Sequence, residues 1–136
     1  MSRRIITLDG NNFSDIEGFY DETIRVFTKD LTWNTGRNLN AFADLLRGGF
    51  GVHDYGEPIC IRWLNSEKSR KDLGYSATAK YYEDLLKVCH PANVESVRSC
   101  LSDAKAEKGE TFFDIVISAI KFEVKENGFD WAIELL

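Results

Sequence analysis

Four polar residues, Arg37, Asn40, Asp44 and Arg47, recur at spacings of three and four. A helix through them would carry all four along one exposed stripe, with Leu39, Phe42 and Leu46 on the opposite, buried one. Such a stripe can recognise charge on another molecule. Its plainest role is that of a wet helix surface, where Asp44 and Arg47 pair at i and i+3 for about a few tenths of a kcal/mol. His53 and Asp54 follow the glycine-rich stretch Gly48-Gly49-Phe50-Gly51. That stretch lacks the lysine, the Ser or Thr and the leading strand of a phosphate loop, so it is expected to be a surface turn. Cys89, His90 and Cys100 are three scattered donors without paired spacing, which falls short of a structural zinc set. They are expected to be buried thiols and a helix-end histidine suited to the dipole there. No GxSxG or comparable nucleophile signature is present. Catalysis is unsupported, and no cofactor or metal is implied.

Composition narrows the function further. With 136 residues, 43% of them hydrophobic, the chain can build one substantial core, and a single domain spanning 1–136 is expected. A net charge of −5 without a Lys/Arg cluster argues against direct nucleic-acid binding. It would steer a basic partner inward. The opening MSRRIITLDG has two arginines but no apolar run behind them, and no 18-residue apolar segment follows. Neither secretion by such a signal nor a membrane span is expected. Cys60, Cys89 and Cys100 are odd in number, lack CxxC spacing and lie in apolar patterns, so they are expected to be unpaired in a reducing cytoplasm.

The elements that must hold the polar stripe follow from hydrophobic period. Arg4–Leu8 reads as a strand closed by the turn cluster Asp9-Gly10-Asn11-Asn12. Ser14 with Glu17 suggests a capped helix start, and Ile16, Phe19, Tyr20, Ile24 and Phe27 give that helix one apolar face. A second helix opens at Arg37 or Asn38 and ends at Gly48-Gly49. Pro58–Leu64 alternates as a strand. Helical segments are expected over Ser66–Leu73, Ser76–His90 and Asn93–Lys108, with Pro91 separating the last two. Thr111 can cap a further helix with a broad apolar stripe that Asn127-Gly128 stops, and Phe129–Leu135 alternates as the last strand. Strands separated by helices call for a parallel sheet. The fold class is therefore α/β: three parallel strands packed with helices.

The segment Gly36-Arg37-Asn38-Leu39-Asn40-Ala41-Phe42-Ala43-Asp44-Leu45-Leu46 resembles the signature of the barstar family, with glycine, asparagine, alanine and the final aspartate in register. Ile5–Gly10 and Phe13–Ile16 resemble that family's first strand and helix start. Ile59–Trp63 resembles its second strand, and Gly128–Leu135 its last. Residues 76–108 look like added helical material relative to the shortest members. The resemblance implies a protein that seals a ribonuclease active site with the second helix and the loop before it. Asp44 then takes the family's central aspartate position, in the enzyme's phosphate-binding pocket. A fixed carboxylate there imitates substrate charge, because such a pocket is lined with cations.

Several positions depart from the family pattern. The loop aromatic aligns with Asn34 or Thr35, with Trp33 adjacent; a helix-face acid is replaced by Asn40, a tryptophan by Ala43, and a commonly acidic site by Arg37. Counting back from Gly128-Phe129-Asp130 puts a family glutamate at Glu123. The expected partner-binding set is thus Asp44, Asn40, Arg37, Trp33, Asn34 and Arg47. The expected partner is a basic ribonuclease of the extracellular or toxin kind, with this protein as its cytoplasmic inhibitor or immunity protein. The alternative is an interaction module on the same scaffold with a non-nuclease partner, contacted through the 76–108 helices. A hydrolase built on His53 and Asp54 lacks both nucleophile and oxyanion hole.

Overall fold

The structure, a computed structural model, describes residues 3–28 and 37–136. Strand β1 (Arg4–Asp9) leads through a 3-10 turn to α1 (Ile16–Phe27), then come α2 (Leu39–Arg47), β2 (Ile59–Leu64), α3 (Ser66–Asp72) and α4 (Tyr75–Leu86). A second 3-10 turn, Pro91–Asn93, precedes α5 (Val94–Lys105), α6 (Phe112–Asn127) and β3 (Trp131–Leu135). The sheet has the order β1-β2-β3, and both pairings are parallel. The expected α/β class with three parallel strands is what the chain adopts. Among the described residues no helix is long and apolar enough to cross a membrane.

Register explains the core. On the central strand, Ile59 pairs with Arg4 on one side and Trp131 on the other, Ile61 with Ile6 and Ile133, and Trp63 with Leu8 and Leu135. Alternate residues of a strand share one face, and this face buries Ile6, Leu8, Ile59, Ile61, Trp63 and Trp131 under the helices. The other face exposes Ile5, Thr7, Arg62 and Glu134. Trp63, fully buried on the central strand, stacks on Phe19 of α1 with centroids 5.7 Å apart and meets Phe113 of α6 at 5.0 Å. Its indole N–H donates to Ser69 Oγ of α3 at 2.9 Å, so the largest core side chain leaves no polar atom unpaired. Gly10 is required beside that bond, since a Cβ there would lie 2.5 Å from Ser69 Oγ and 2.7 Å from the Asn65 carbonyl.

Helix boundaries follow capping chemistry more closely than hydrophobic period. The start of α1 is capped by Asp15, whose carboxylate accepts from Gly18 N–H at 2.7 Å, and not by Ser14. Asp15 directly precedes the helix, and its charge suits the helix N-terminus. Ser14 Oγ instead accepts from Lys68 of α3. Thr111 and Asp114 form a reciprocal capping box on α6, and Gly128, in the left-handed region at φ 72°, terminates it. Helix α4 stops at Leu86, short of His90, whose Nδ1 accepts from Ala92 N–H and caps the second 3-10 turn. His90 therefore starts one turn rather than ending a helix. The thiols also differ from expectation: Cys60 is buried, Cys89 is half-buried, and Cys100 is exposed.

Candidate functional site

Helix α2 is fixed in place on three sides. Phe42, Leu45 and Leu46 are each about fully buried, and Phe42 packs on Phe19 with centroids 5.4 Å apart. Its first turn is closed by Asn38, whose side-chain oxygen accepts from Ala41 N–H at 2.8 Å. Its last turn is closed by the loop that follows. Gly48, at φ 99°, donates to the carbonyls of Asp44 and Leu45; a Cβ here would lie 2.4 Å from the Asp54 carbonyl oxygen. The same loop returns the Gly56 N–H to the Arg47 carbonyl at 2.7 Å, and His53 Nε2 to the Leu46 carbonyl at 2.9 Å.

His53 is therefore buried, not part of a surface turn. A carbonyl can only accept, so the ring proton sits on Nε2. The glycine-rich stretch has no regular period, and what draws the imidazole inward is the unpaired carbonyl at the end of α2. Nδ1 has no partner among the described residues. The ring packs 5.9 Å from Phe27, centroid to centroid.

On this rigid helix the polar stripe divides in two. Arg37 falls before the Asn38 cap, outside α2, and leans away from Asp44 toward α1, where its guanidinium donates to Asp21 at 2.6 and 3.1 Å and lies 3.6 Å from Glu17. The Asp21 carboxylate holds the Arg37 guanidinium above its ordinary pKa. Asn40 is exposed. Asp44 is exposed over 61% of its side chain and pairs with Arg47 Nη1 at 2.7 Å, the expected i, i+3 contact. The other guanidinium nitrogen of Arg47 donates to Glu123 of α6, whose second oxygen accepts from Asn127 Nδ2. Trp33 and Asn34 lie outside the described residues.

Glu123 is the member of this cluster that helix spacing around Asp44 does not reveal, since it is distant in sequence. A signal is nonetheless present in α6. Val116 and Ile120 are buried on one stripe, and Glu123 continues it at the next spacing of three. A carboxylate on a buried stripe needs a cation and hydrogen-bond donors. Arg47 and Asn127 supply them. The resulting surface presents one exposed carboxylate, one half-covered guanidinium and one buried carboxylate, drawn from two helices that the aromatic core holds together.

A family model described as Barstar (barnase inhibitor) matches residues 3–118. The match takes in Asp44 and Arg47 and stops before Glu123. No curated protein and no solved structure matches the chain.

Proposed function

The chain belongs to the barstar family, and from that premise we propose that it inhibits a ribonuclease, with Asp44 entering the enzyme's cationic phosphate-binding pocket. The observation that carries this reading is the placement of Asp44. It is an exposed carboxylate on a helix whose other side is anchored by Phe42, Leu45 and Leu46. A carboxylate held in this way loses little freedom on binding, and cations that normally contact phosphate can pair with it instead. Asn40 and Arg47 share helix α2 with Asp44, Arg37 stands just before that helix, and Trp33 and Asn34 precede it in sequence; these complete the proposed contact set. The net charge of −5 favours encounter with a basic enzyme.

In a cell that makes the matching nuclease, such a protein acts as an immunity factor in the cytoplasm. Residues 76–108 are, on this reading, an addition to the family's smallest frame that stands outside the sealed pocket. The test uses barnase as the probe ribonuclease. Asp44→Ala weakens binding by about 2–5 kcal/mol, a range for truncating one partner of a buried charge pair to which this family's own reference complex contributes. The free protein loses less than about 1 kcal/mol of stability, as expected of an exposed helix position. Calorimetric titration and thermal melts read the two effects separately. If Asp44→Ala binds as tightly as wild type while a change within 76–108 abolishes binding, the interaction-module alternative replaces this one.

A further inference from the structure

The ribonuclease reading leaves Arg47 unexplained, because a guanidinium stands where a cationic pocket must dock. Arg47 bridges the two helices: one nitrogen donates to Asp44 at 2.7 Å and the other to Glu123. The Arg47–Asp44 contact is, within a single chain, the kind of cation–carboxylate pair that the partner's cations would make with Asp44. Resting on that reading, we propose that Arg47 is a specificity-determining residue. It acts as a built-in counter-ion that competes with the partner's cations for Asp44 and disfavours purely cationic pockets.

Burial shows which of its two bonds a partner can reach. The Glu123 side chain is 10% exposed, that of Arg47 27%, and that of Asp44 61%. A docking enzyme can therefore take over Asp44 at the surface. It cannot easily draw Arg47 off Glu123, because that would strand a buried carboxylate with Asn127 alone. The Arg47 backbone is also fixed, its carbonyl accepting from Gly56 N–H. Arg47 thus remains beside Asp44 in the complex and places a positive charge against the pocket's own. The bridged group carries a single net negative charge, where its two carboxylates alone would carry two. The partner that fits is a ribonuclease whose phosphate-binding cations are accompanied by an acidic group within reach of Arg47. A nuclease without that group is bound weakly.

The experiment is equilibrium and stopped-flow binding of the full chain to barnase, with Arg47→Ala, Asp44→Ala and the double variant. Arg47→Ala is expected to bind on the order of ten-fold tighter than wild type, with an association rate that falls more steeply with salt. Asp44→Ala is expected to cost more in the Arg47→Ala background than in wild type. Since Arg47→Ala leaves Glu123 without its cation, a second comparison sets Arg47→Gln/Glu123→Gln against Glu123→Gln alone, where the variant lacking Arg47 is again the tighter binder. Unchanged or weaker binding on loss of Arg47, with Asp44→Ala still damaging, overturns this inference and leaves the ribonuclease reading standing. An Asp44→Ala variant that binds barnase like wild type, or no binding by any form, removes the ribonuclease reading and this inference with it.

Discussion

Helices α1, α2 and α6 turn Phe19, Tyr20, Phe27, Phe42, Leu45, Leu46, Phe112, Phe113, Val116 and Ile120 into the core, whereas α4 and α5 bury only Thr78, Val97 and Ala104. The first group is fastened to the sheet by interlocking rings. The second pair lies mainly against itself, with Val88 at its far end 79% exposed. It is tethered at the near end. There Thr78 Oγ1 accepts from Phe112 N–H and donates to the Gly74 carbonyl, both at 2.7 Å, and Tyr81 packs on Phe112. The difference teaches where precision is needed. Asp44 and Glu123 stand on elements that cannot shift without disturbing the aromatic core, while α4 and α5 can open locally at lower free energy.

The sharpest way to break this comparison is to remove one side chain from each region. Phe112 is fully buried and touches Phe19, Tyr20 and Tyr81 ring to ring. Phe112→Ala is expected to cost about 3–5 kcal/mol in urea unfolding, from lost transfer energy and the cavity left behind. Val97→Ala on α5 removes less and leaves a site able to collapse, so about 1–2 kcal/mol is expected. Equal losses would mean that α5 is as much part of the cooperative core as α6.

Titration sharpens the same contrast. Glu22 of α1 is buried; burial pushes its carboxyl pKa up, but Arg25, the Asp9 N–H and Asn12 together outweigh it and bring the value below the ordinary 4.5. A carboxyl with a lowered folded-state pKa adds stability that is fully present above its unfolded value. That stability is lost as pH falls through the folded value. Wild type should therefore lose part of its stability below about pH 4.5, and Glu22→Gln should flatten that acid limb. Asp84 on α4 is also held below its ordinary value, by Lys80 and Lys87, but it is exposed in solvent. Asp84→Asn should leave the acid limb unchanged within the error of urea unfolding at pH 3 to 7, because solvent screens such pairs. An acid limb that follows Asp84 instead of Glu22 would contradict the assignment of stability to the α1 side.

These two regions were not equally legible in sequence. The strands, α2 with its asparagine cap, and α6 between Thr111 and Gly128 are written in local patterns: period two, period three to four, and capping residues. The Arg47–Glu123 contact is not, because it joins two helices through tertiary packing; the family resemblance singles out Glu123 and the α6 apolar stripe carries its carboxylate, but neither names Arg47 as its partner. Arg37 shares the Asp44 stripe by spacing, yet its long side chain is drawn to Asp21 of a neighbouring helix. His53 was misplaced for a related reason, since its partner is a backbone carbonyl that no side-chain pattern announces. The α4 and α5 boundaries drifted at their ends because those ends bury little, and burial is what hydrophobic period detects.

The smallest expected effect compares one residue type in the same helix position in both regions. Asn38 caps α2 in extended conformation, with its side-chain oxygen 2.8 Å from Ala41 N–H. Asn93 precedes α5 with helical φ and ψ and makes no side-chain cap bond, because the 3-10 turn before it already continues into the helix. A cap contributes only when its oxygen takes up an otherwise unpaired N–H of the first turn. Asn38→Ala should therefore cost about 1 kcal/mol, and Asn93→Ala only a few tenths, about what an exposed substitution costs. Paired thermal melts measure both. The Asn38 loss should also appear as faster amide exchange at Ala41, ahead of any change in the core strands, since fraying begins at the uncapped turn. If Asn93→Ala proves the more damaging, capping is not what distinguishes the two helix starts, and α2 is held by its buried face alone.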